Sequence, residues 1–423
     1  MLSCARKLLL AMALLAASLS ACSRAQGDGH ANRQNFDLIQ RGRYLVTLGD
    51  CTACHADPRR SDSPFGGGRP VATPFGTVVA PNITPDAQTG IGNWTAQQFD
   101  EAVRRGRMPN GKRLYPAMPF PYFARMSVAD LGAIRAYLNT VKPVHHAVVS
   151  DRLPFPFSIR ASMIFWDWLY YRPGEWQPHP DRSAAWNRGS YIVSGPGHCG
   201  ACHTPKTLLG GDEQHRALQG YALEGWFAPD LTGDAQHGLA AWTAEDIVAY
   251  LKTGHNRFDA ASGPMAEEVK DSSSGMNAQD LAAIATYLKG EESVSQRQAP
   301  LPASDPVMVA GAAIYRDVCS GCHKIDGSGV PYLIPDLAGS AAVASREPTT
   351  VVQVILHGAA SVATREEPTG PQMPSYAWQL NDVQVAAVAS YVRNSWGHAA
   401  GSVTESAVHS VRESGQGQDS GAR

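Results

Sequence analysis

Three five-residue runs carry the chemistry of this chain. Cys51-Thr52-Ala53-Cys54-His55, Cys199-Gly200-Ala201-Cys202-His203 and Cys319-Ser320-Gly321-Cys322-His323 each pair two thiols and follow them at once with an imidazole. Thiols at that spacing add across the two vinyl groups of a single haem, and the adjoining histidine is then held under the iron as its proximal ligand. Zinc wants four ligands, whereas each run offers three nearby. A redox dithiol of the thioredoxin type needs a strand–helix–strand setting that the flanking sequence lacks. Three covalently attached haem c groups are therefore the expected cofactors. Of the 8 cysteines only Cys4 and Cys22, both near the start, fall outside these runs.

The sixth iron ligand separates electron transfer from catalysis, since a thioether fills the distal position and raises the potential. Met108, Met118 and Met126 follow the first motif, Met265 and Met276 the second, and Met373 the third. Met126 and Met276 directly precede helix-start signatures, Ser127-x-x-Asp130 and Asn277-x-x-Asp280. The third copy has Leu380 there, before Asn381-x-x-Gln384. Leu131, Leu281 and Val385 stand four residues into the helices, so a hydrophobic staple accounts for Met126 and Met276 as core residues. Met118, Met265 and Met373 remain as the expected axial set, 63, 62 and 50 residues after their histidines, in loops with proline nearby. Met108 is the alternative in the first copy.

A ligating histidine usually donates its second ring N–H to an acceptor. The carbonyls of Pro81, Pro229 and Pro335 are candidates, 26, 26 and 12 residues past the histidines. They open the matched tripeptides Pro-Asn-Ile, Pro-Asp-Leu and Pro-Asp-Leu. His198, beside Cys199, reads as a surface or supporting residue rather than a ligand. Trp94 and Trp242 read as packing for the middle helix; the competing reading has their indoles reaching the haem propionates.

These residues must be positioned by a repeated unit. Each motif follows a short helical pattern containing Arg41-Gly42-Arg43-Tyr44, Arg188-Gly189-Ser190-Tyr191 or the looser Gly311-Ala312-Ala313-Ile314-Tyr315. After the proline tripeptide come Trp94-Thr95-Ala96 and Trp242-Thr243-Ala244, opening helices that end at Gly106 and Gly254; a stretch ending at Gly358 matches them in the third copy. A last amphipathic helix carries Tyr137, Tyr287 or Tyr391. The fold expected is all-α: three tandem class I cytochrome c domains with long loops, at 36–145, 184–292 and 303–397. Residues 146–183 form an aromatic connecting segment and 293–302 a polar linker. Residues 398–423, rich in Ser, Gly, Gln and charge, are expected to be disordered. The connecting segment reads first as a strap holding one domain on the next, and second as a docking or membrane surface.

Residues 1–21 look like a lipoprotein-type signal peptide: Arg6 and Lys7, an apolar run from Leu8 to Leu19, then Leu19-Ser20-Ala21-Cys22. Cys22 is the expected lipidation site. That puts the protein on the periplasmic side of a bacterial membrane, held by a lipid anchor. A net charge of -2 over 423 residues offers nothing to nucleic acid.

The motif order resembles the triheme cytochrome c subunit of bacterial membrane-bound alcohol, gluconate and related sugar dehydrogenases. The resemblance spans about residues 36–412. It rests on Asn82-Ile83-Thr84-Pro85-Asp86 with Gly90-Ile91-Gly92, on Leu114-Tyr115-Pro116-Ala117-Met118-Pro119, on Gly195-Pro196-Gly197-His198-Cys199-Gly200 and on Ser395-Trp396-Gly397. It implies a non-catalytic partner subunit. Electrons would come from a separate catalytic subunit holding PQQ, FAD or molybdenum and pass to ubiquinone or a terminal oxidase. The sequence around His398 departs from the family, where asparagine often follows Trp-Gly. Two other readings are a free-standing periplasmic electron shuttle and a haem peroxidase. The second needs an open iron, against which three matched methionines argue.

Overall fold

The computed structural model describes residues 35–57, 60, 64–148, 152–291 and 298–419. The leader with Cys22 and residues 293–297 of the linker lie outside the described residues. Three stretches each open on a long helix that leads into a Cys-x-x-Cys-His turn and later carry a capped helix, but the third places its strands after the middle helix instead of before it. The first holds helix α1 (35–48), α2 (Cys51–His55), strands β1 (Pro70–Thr73) and β2 (Gly76–Val79), α3 (Ala96–Arg105), α4 (Phe120–Phe123) and α5 (Val128–Leu138). After α6 (Met163–Tyr170) comes the second: α7 (Ala184–Ser194), α8 (Gly200–His203), β3 (Gln219–Leu223), β4 (Trp226–Asp230), α9 (Ala244–Thr253), α10 (Pro264–Asp271) and α11 (Ala278–Lys289). The third holds α12 (Pro306–Ile314), α13 (Ser320–His323), α14 (Ala341–Ala344), α15 (Thr349–His357), β5 (Ala359–Ala360), β6 (Gln372–Met373), α16 (Asp382–Val392) and α17 (Glu405–Asp419).

The first and last long helices of each repeat cross at a glycine. A Cβ on Gly42, Gly189 or Gly311 would fall onto the backbone carbonyl of Ala133, Ala283 or Ala387 in the opposing helix. Only glycine lets the two backbones touch there, and this contact fixes the crossing. The closing helices start where their signatures fall: the side chains of Ser127, Asn277 and Asn381 accept the backbone N–H of Asp130, Asp280 and Gln384. Met126, Met276 and Leu380 are buried beside Leu131, Leu281 and Val385 in their respective cores. The middle helices α3 and α9 begin in capping boxes at Thr95 and Thr243 and end at left-handed Gly106 and Gly254.

The loops hold more order than an all-α reading expects. β1–β2, β3–β4 and β5–β6 are two-stranded antiparallel hairpins. The first two fill the path from histidine to proline, turning between Thr73 and Gly76 and between Leu223 and Trp226. Glu224 and Gly225 have φ of 50° and 78°, the left-handed pair that a tight two-residue turn demands.

The connecting segment does act as a strap. Met163 and Trp166 of α6 are buried against Phe120, and the Trp166 indole donates to the Leu209 carbonyl of the second repeat at 2.9 Å. The third repeat docks firmly on the second despite the intervening linker. The Trp242 indole donates to Gly339 O at 3.0 Å, and Asp259 accepts Ser340 Oγ and Ala341 N. Trp242 also stacks on Phe258, so its indole serves packing between repeats.

Residues 398–419 do not form the disordered tail that their composition suggests, and 420–423 lie outside the described residues. Val403 and Val408 are buried in the third core, and α17 lies along α16. Arg412 donates to Asp382 and to the carbonyls of Ala377 and Leu380. A few apolar contacts suffice where a finished surface already waits for the segment.

Candidate haem sites

Each Cys-x-x-Cys-His run forms a short helix directly after the first long helix, so the sulfurs and the imidazole are delivered by one rigid turn. None of these six cysteines is joined to another in a disulfide. Burial pushes Cys51 and Cys199 up to about 12 and Cys54, Cys202 and Cys319 up to about 11. Cys51, Cys199 and Cys319 each pack against the apolar core of their repeat. Such surroundings disfavour a thiolate and suit a neutral thioether.

His55 and His203 are buried, and their Nδ1 atoms lie 2.7 Å from Pro81 O and 2.8 Å from Pro229 O. A carbonyl accepts only, so Nδ1 carries the proton and Nε2 keeps its lone pair for an iron. Desolvation lowers the pKa of both rings, to about 4 for His203, which keeps them neutral. His323 differs. Desolvation again lowers its pKa, and the Pro335 carbonyl lies close enough to act on it. Yet its buried Nδ1 falls short of hydrogen-bond geometry with any partner among the described residues.

The tripeptides present those carbonyls through their middle residues. Asn82 Oδ1 accepts Thr84 N at 2.9 Å, Asp230 Oδ1 accepts Thr232 N at 2.8 Å, and Asp336 Oδ1 accepts Ala338 N at 2.9 Å. Each is an Asx turn that pins the chain immediately after the proline. The sequence pattern displayed these residues, but their part in aiming the carbonyl emerges only from the geometry.

Met118, Met265 and Met373 are all half-buried, but they occupy three different local structures. Met118 lies in the turn before α4, with its N–H on Tyr115 O at 3.1 Å. Met265 is in the first turn of α10 rather than in the expected loop. Met373 ends β6, opposite Ala359. A shared device nonetheless sets their register. Gly106 O accepts Leu114 N at 2.7 Å, and Gly254 O accepts Ala261 N at 2.7 Å, each four residues before the methionine. In the third repeat the strand pair that follows Gly358 does the same work. Met118 and Met373 pack in the same clusters as Cys51 and Cys319. Met108 is also half-buried, two residues beyond Gly106.

His198 is not a surface residue. Its ring meets Phe123 edge-on at 5.5 Å, and Nε2 lies 3.3 Å from Gly49 O of the first repeat. The first two motifs therefore face each other across a shared boundary.

Paired cysteines with the first of each pair on the apolar core, a desolvated imidazole directly after them, and a half-buried methionine further along each repeat fit a covalently held haem. Fold and site together define a c-type cytochrome. The cytochrome c family model matches residues 188–291 and 308–396. The chain is 38% identical over 403 residues to the gluconate 2-dehydrogenase cytochrome c subunit of Pantoea cypripedii, covering 90% of this chain and 91% of that one. It is 37% identical over 423 residues to the cytochrome c subunit of the quinone alcohol dehydrogenase of Komagataeibacter europaeus, covering 94% and 89%. It is 36% identical over 408 residues to the fructose dehydrogenase cytochrome subunit of Gluconobacter japonicus, covering 89% and 83%. The chain belongs to the family of dehydrogenase cytochrome c subunits, and it is an electron-transfer subunit rather than a catalytic one. Haem c, when bound, supplies one-electron redox chemistry. The polypeptide's part is to tether it through paired cysteines, orient the histidine and exclude water.

Proposed function

We propose that this chain holds three haem c groups in three tandem class I cytochrome c domains. It relays electrons from the catalytic subunit of a membrane-bound dehydrogenase of the alcohol, gluconate or sugar type to ubiquinone or a terminal oxidase. Cys51/Cys54, Cys199/Cys202 and Cys319/Cys322 are the attachment pairs, His55, His203 and His323 the proximal ligands, and Met118, Met265 and Met373 the distal ones. The catalytic partner carries PQQ, FAD or molybdenum. The work takes place on the periplasmic side of the membrane, with a lipid on Cys22 as tether. The observation that carries the reading is the recurrence, in three repeats, of a desolvated imidazole closing a run that opens on a cysteine packed on the apolar core.

The test is affinity purification from the native membrane, with identification of the co-purifying subunit and of haem stoichiometry. Substrate added to those membranes should reduce the haems. The isolated chain should oxidise no alcohol or sugar. Turnover by the isolated chain, or a haem content other than three, would overturn the proposal.

A further inference from the structure

Apart from Asp167, which pairs with Arg113, helix α6 carries apolar or aromatic side chains throughout. Met163 and Trp166 face inward, while Ile164, Phe165 and Trp168 on the other side are exposed. Large apolar side chains on the outward side of a helix call for a cover of protein or lipid. Only half of α6 has an interior to fill. Phe155, on the same segment, and Leu208, on the turn whose next residue holds the Trp166 indole, are exposed as well. The protruding groups stand almost free: Leu208 is 98% exposed, Phe155 80% and Trp168 73%.

The charge beside this patch runs against the rest of the chain. The chain as a whole has net charge -2. The connecting segment 146–183 is itself neutral, with Arg152, Arg160, Arg172 and Arg182 against Asp151, Asp167, Glu175 and Asp181, so the excess of positive charge comes from its neighbour. The neighbouring 106–116 loop adds Arg107, Lys112 and Arg113 and no acid. The two segments are bound together: Asp167 pairs with Arg113, and the Arg160 guanidinium donates to Arg113 O and lies over the Tyr115 ring at 4.7 Å.

We propose that the outer face of α6, with Phe155 and the Leu208 turn, is a membrane-contact surface that enters the headgroup–acyl boundary of an anionic bilayer while the flanking cations meet lipid phosphates. Trp and Phe in a setting of Arg and Lys are what that boundary favours. Isolated convex tips suit a fluid acyl phase, which needs no complementary shape; a protein partner must offer a pocket for each. The surface deepens the membrane placement proposed above. It adds a second contact to the tether on Cys22.

The test uses the full-length, haem-loaded protein carrying Cys22→Ser, so that no lipid tether contributes. Flotation with vesicles of phosphatidylglycerol and phosphatidylethanolamine should recover the protein, and vesicles of phosphatidylcholine alone should recover less. The double substitution Phe165→Ser/Trp168→Ser should weaken binding by about tenfold or more, with the haem spectrum and melting temperature unchanged. Leu208→Ser, on a separate turn, should weaken it in the same direction. Absence of vesicle binding, or binding that ignores all three substitutions, would overturn the proposal. So would release of a co-purifying dehydrogenase subunit by these substitutions with lipid binding intact, since the face would then be a protein interface. Vesicle binding without any co-purifying dehydrogenase would keep the surface and sink the subunit reading instead.

Discussion

The Tyr44 hydroxyl donates to Asp280 Oδ2 at 2.6 Å, from the first helix of one repeat to the closing helix of the next. The exchange is reciprocal: Tyr191 OH donates to Asp130 Oδ2 at 2.5 Å. Each carboxylate is also held by the arginine of its own repeat, Asp280 by Arg188 and Asp130 by Arg41. Two copies of one Arg-Gly-x-Tyr pattern thus lock onto each other about a local two-fold relation. Tyr44→Phe removes a hydrogen bond to a buried charge and should cost about 1–3 kcal/mol in thermal or denaturant unfolding. A change within error would show that the exchange contributes nothing.

The same network has an acid limit. Burial by itself raises the Asp280 pKa, but the Arg188 and Tyr44 hydrogen bonds outweigh it, and the net pKa in the folded state is lowered. The unfolded chain then binds the proton more readily than the folded one. This stabilisation is complete above the unfolded carboxylate value of about 4 and is lost as pH falls through the lower folded value. Asp280→Asn should flatten the acid end of the stability–pH curve, and a curve parallel to wild type there would contradict it.

His198 gives a second pH dependence in a different window. Desolvation between the first two repeats lowers its pKa, so the folded state resists the proton that the unfolded state accepts. The stability associated with the neutral ring is complete above about 6.5 and declines as pH drops below it. His198→Gln should remove that slope between about pH 6.5 and 5 in urea titrations. A persisting slope would assign it elsewhere.

The glycine crossings are steep tests of close packing. Gly189→Ala drives a methyl into the Ala283 carbonyl and should destabilise the second repeat by about 3 kcal/mol or more. Gly132→Ala meets nothing nearby and should be neutral or stabilising, at most about 1 kcal/mol. Equal melting temperatures for the two variants would contradict the contact.

The methionines separate by spectroscopy. Met373→Ala should remove about a third of the near-infrared thioether band and lower one midpoint potential. Met126→Leu should leave the band whole, because Leu380 fills the same place in the third repeat. A band lost in the second variant and kept in the first would reverse the roles of ligand and core.

What the residues alone determined is what is local along the chain. The three Cys-x-x-Cys-His runs, the capped starts at Ser127, Asn277 and Asn381, and the glycine ends at Gly106 and Gly254 depend on neighbours within a turn or two. Spacing and residue type suffice for such features, because the hydrogen bonds they make are short in sequence. Tertiary structure decided whatever needs a partner far along the chain. It placed Tyr44 on Asp280, closed His198 against Gly49, and set Met265 on a helix but Met373 on a strand. It also ordered α17, whose polar composition hides two valines that a preformed core accepts. A long-range contact depends on the shape of a surface that exists only after the local elements have packed, and no single segment encodes that shape.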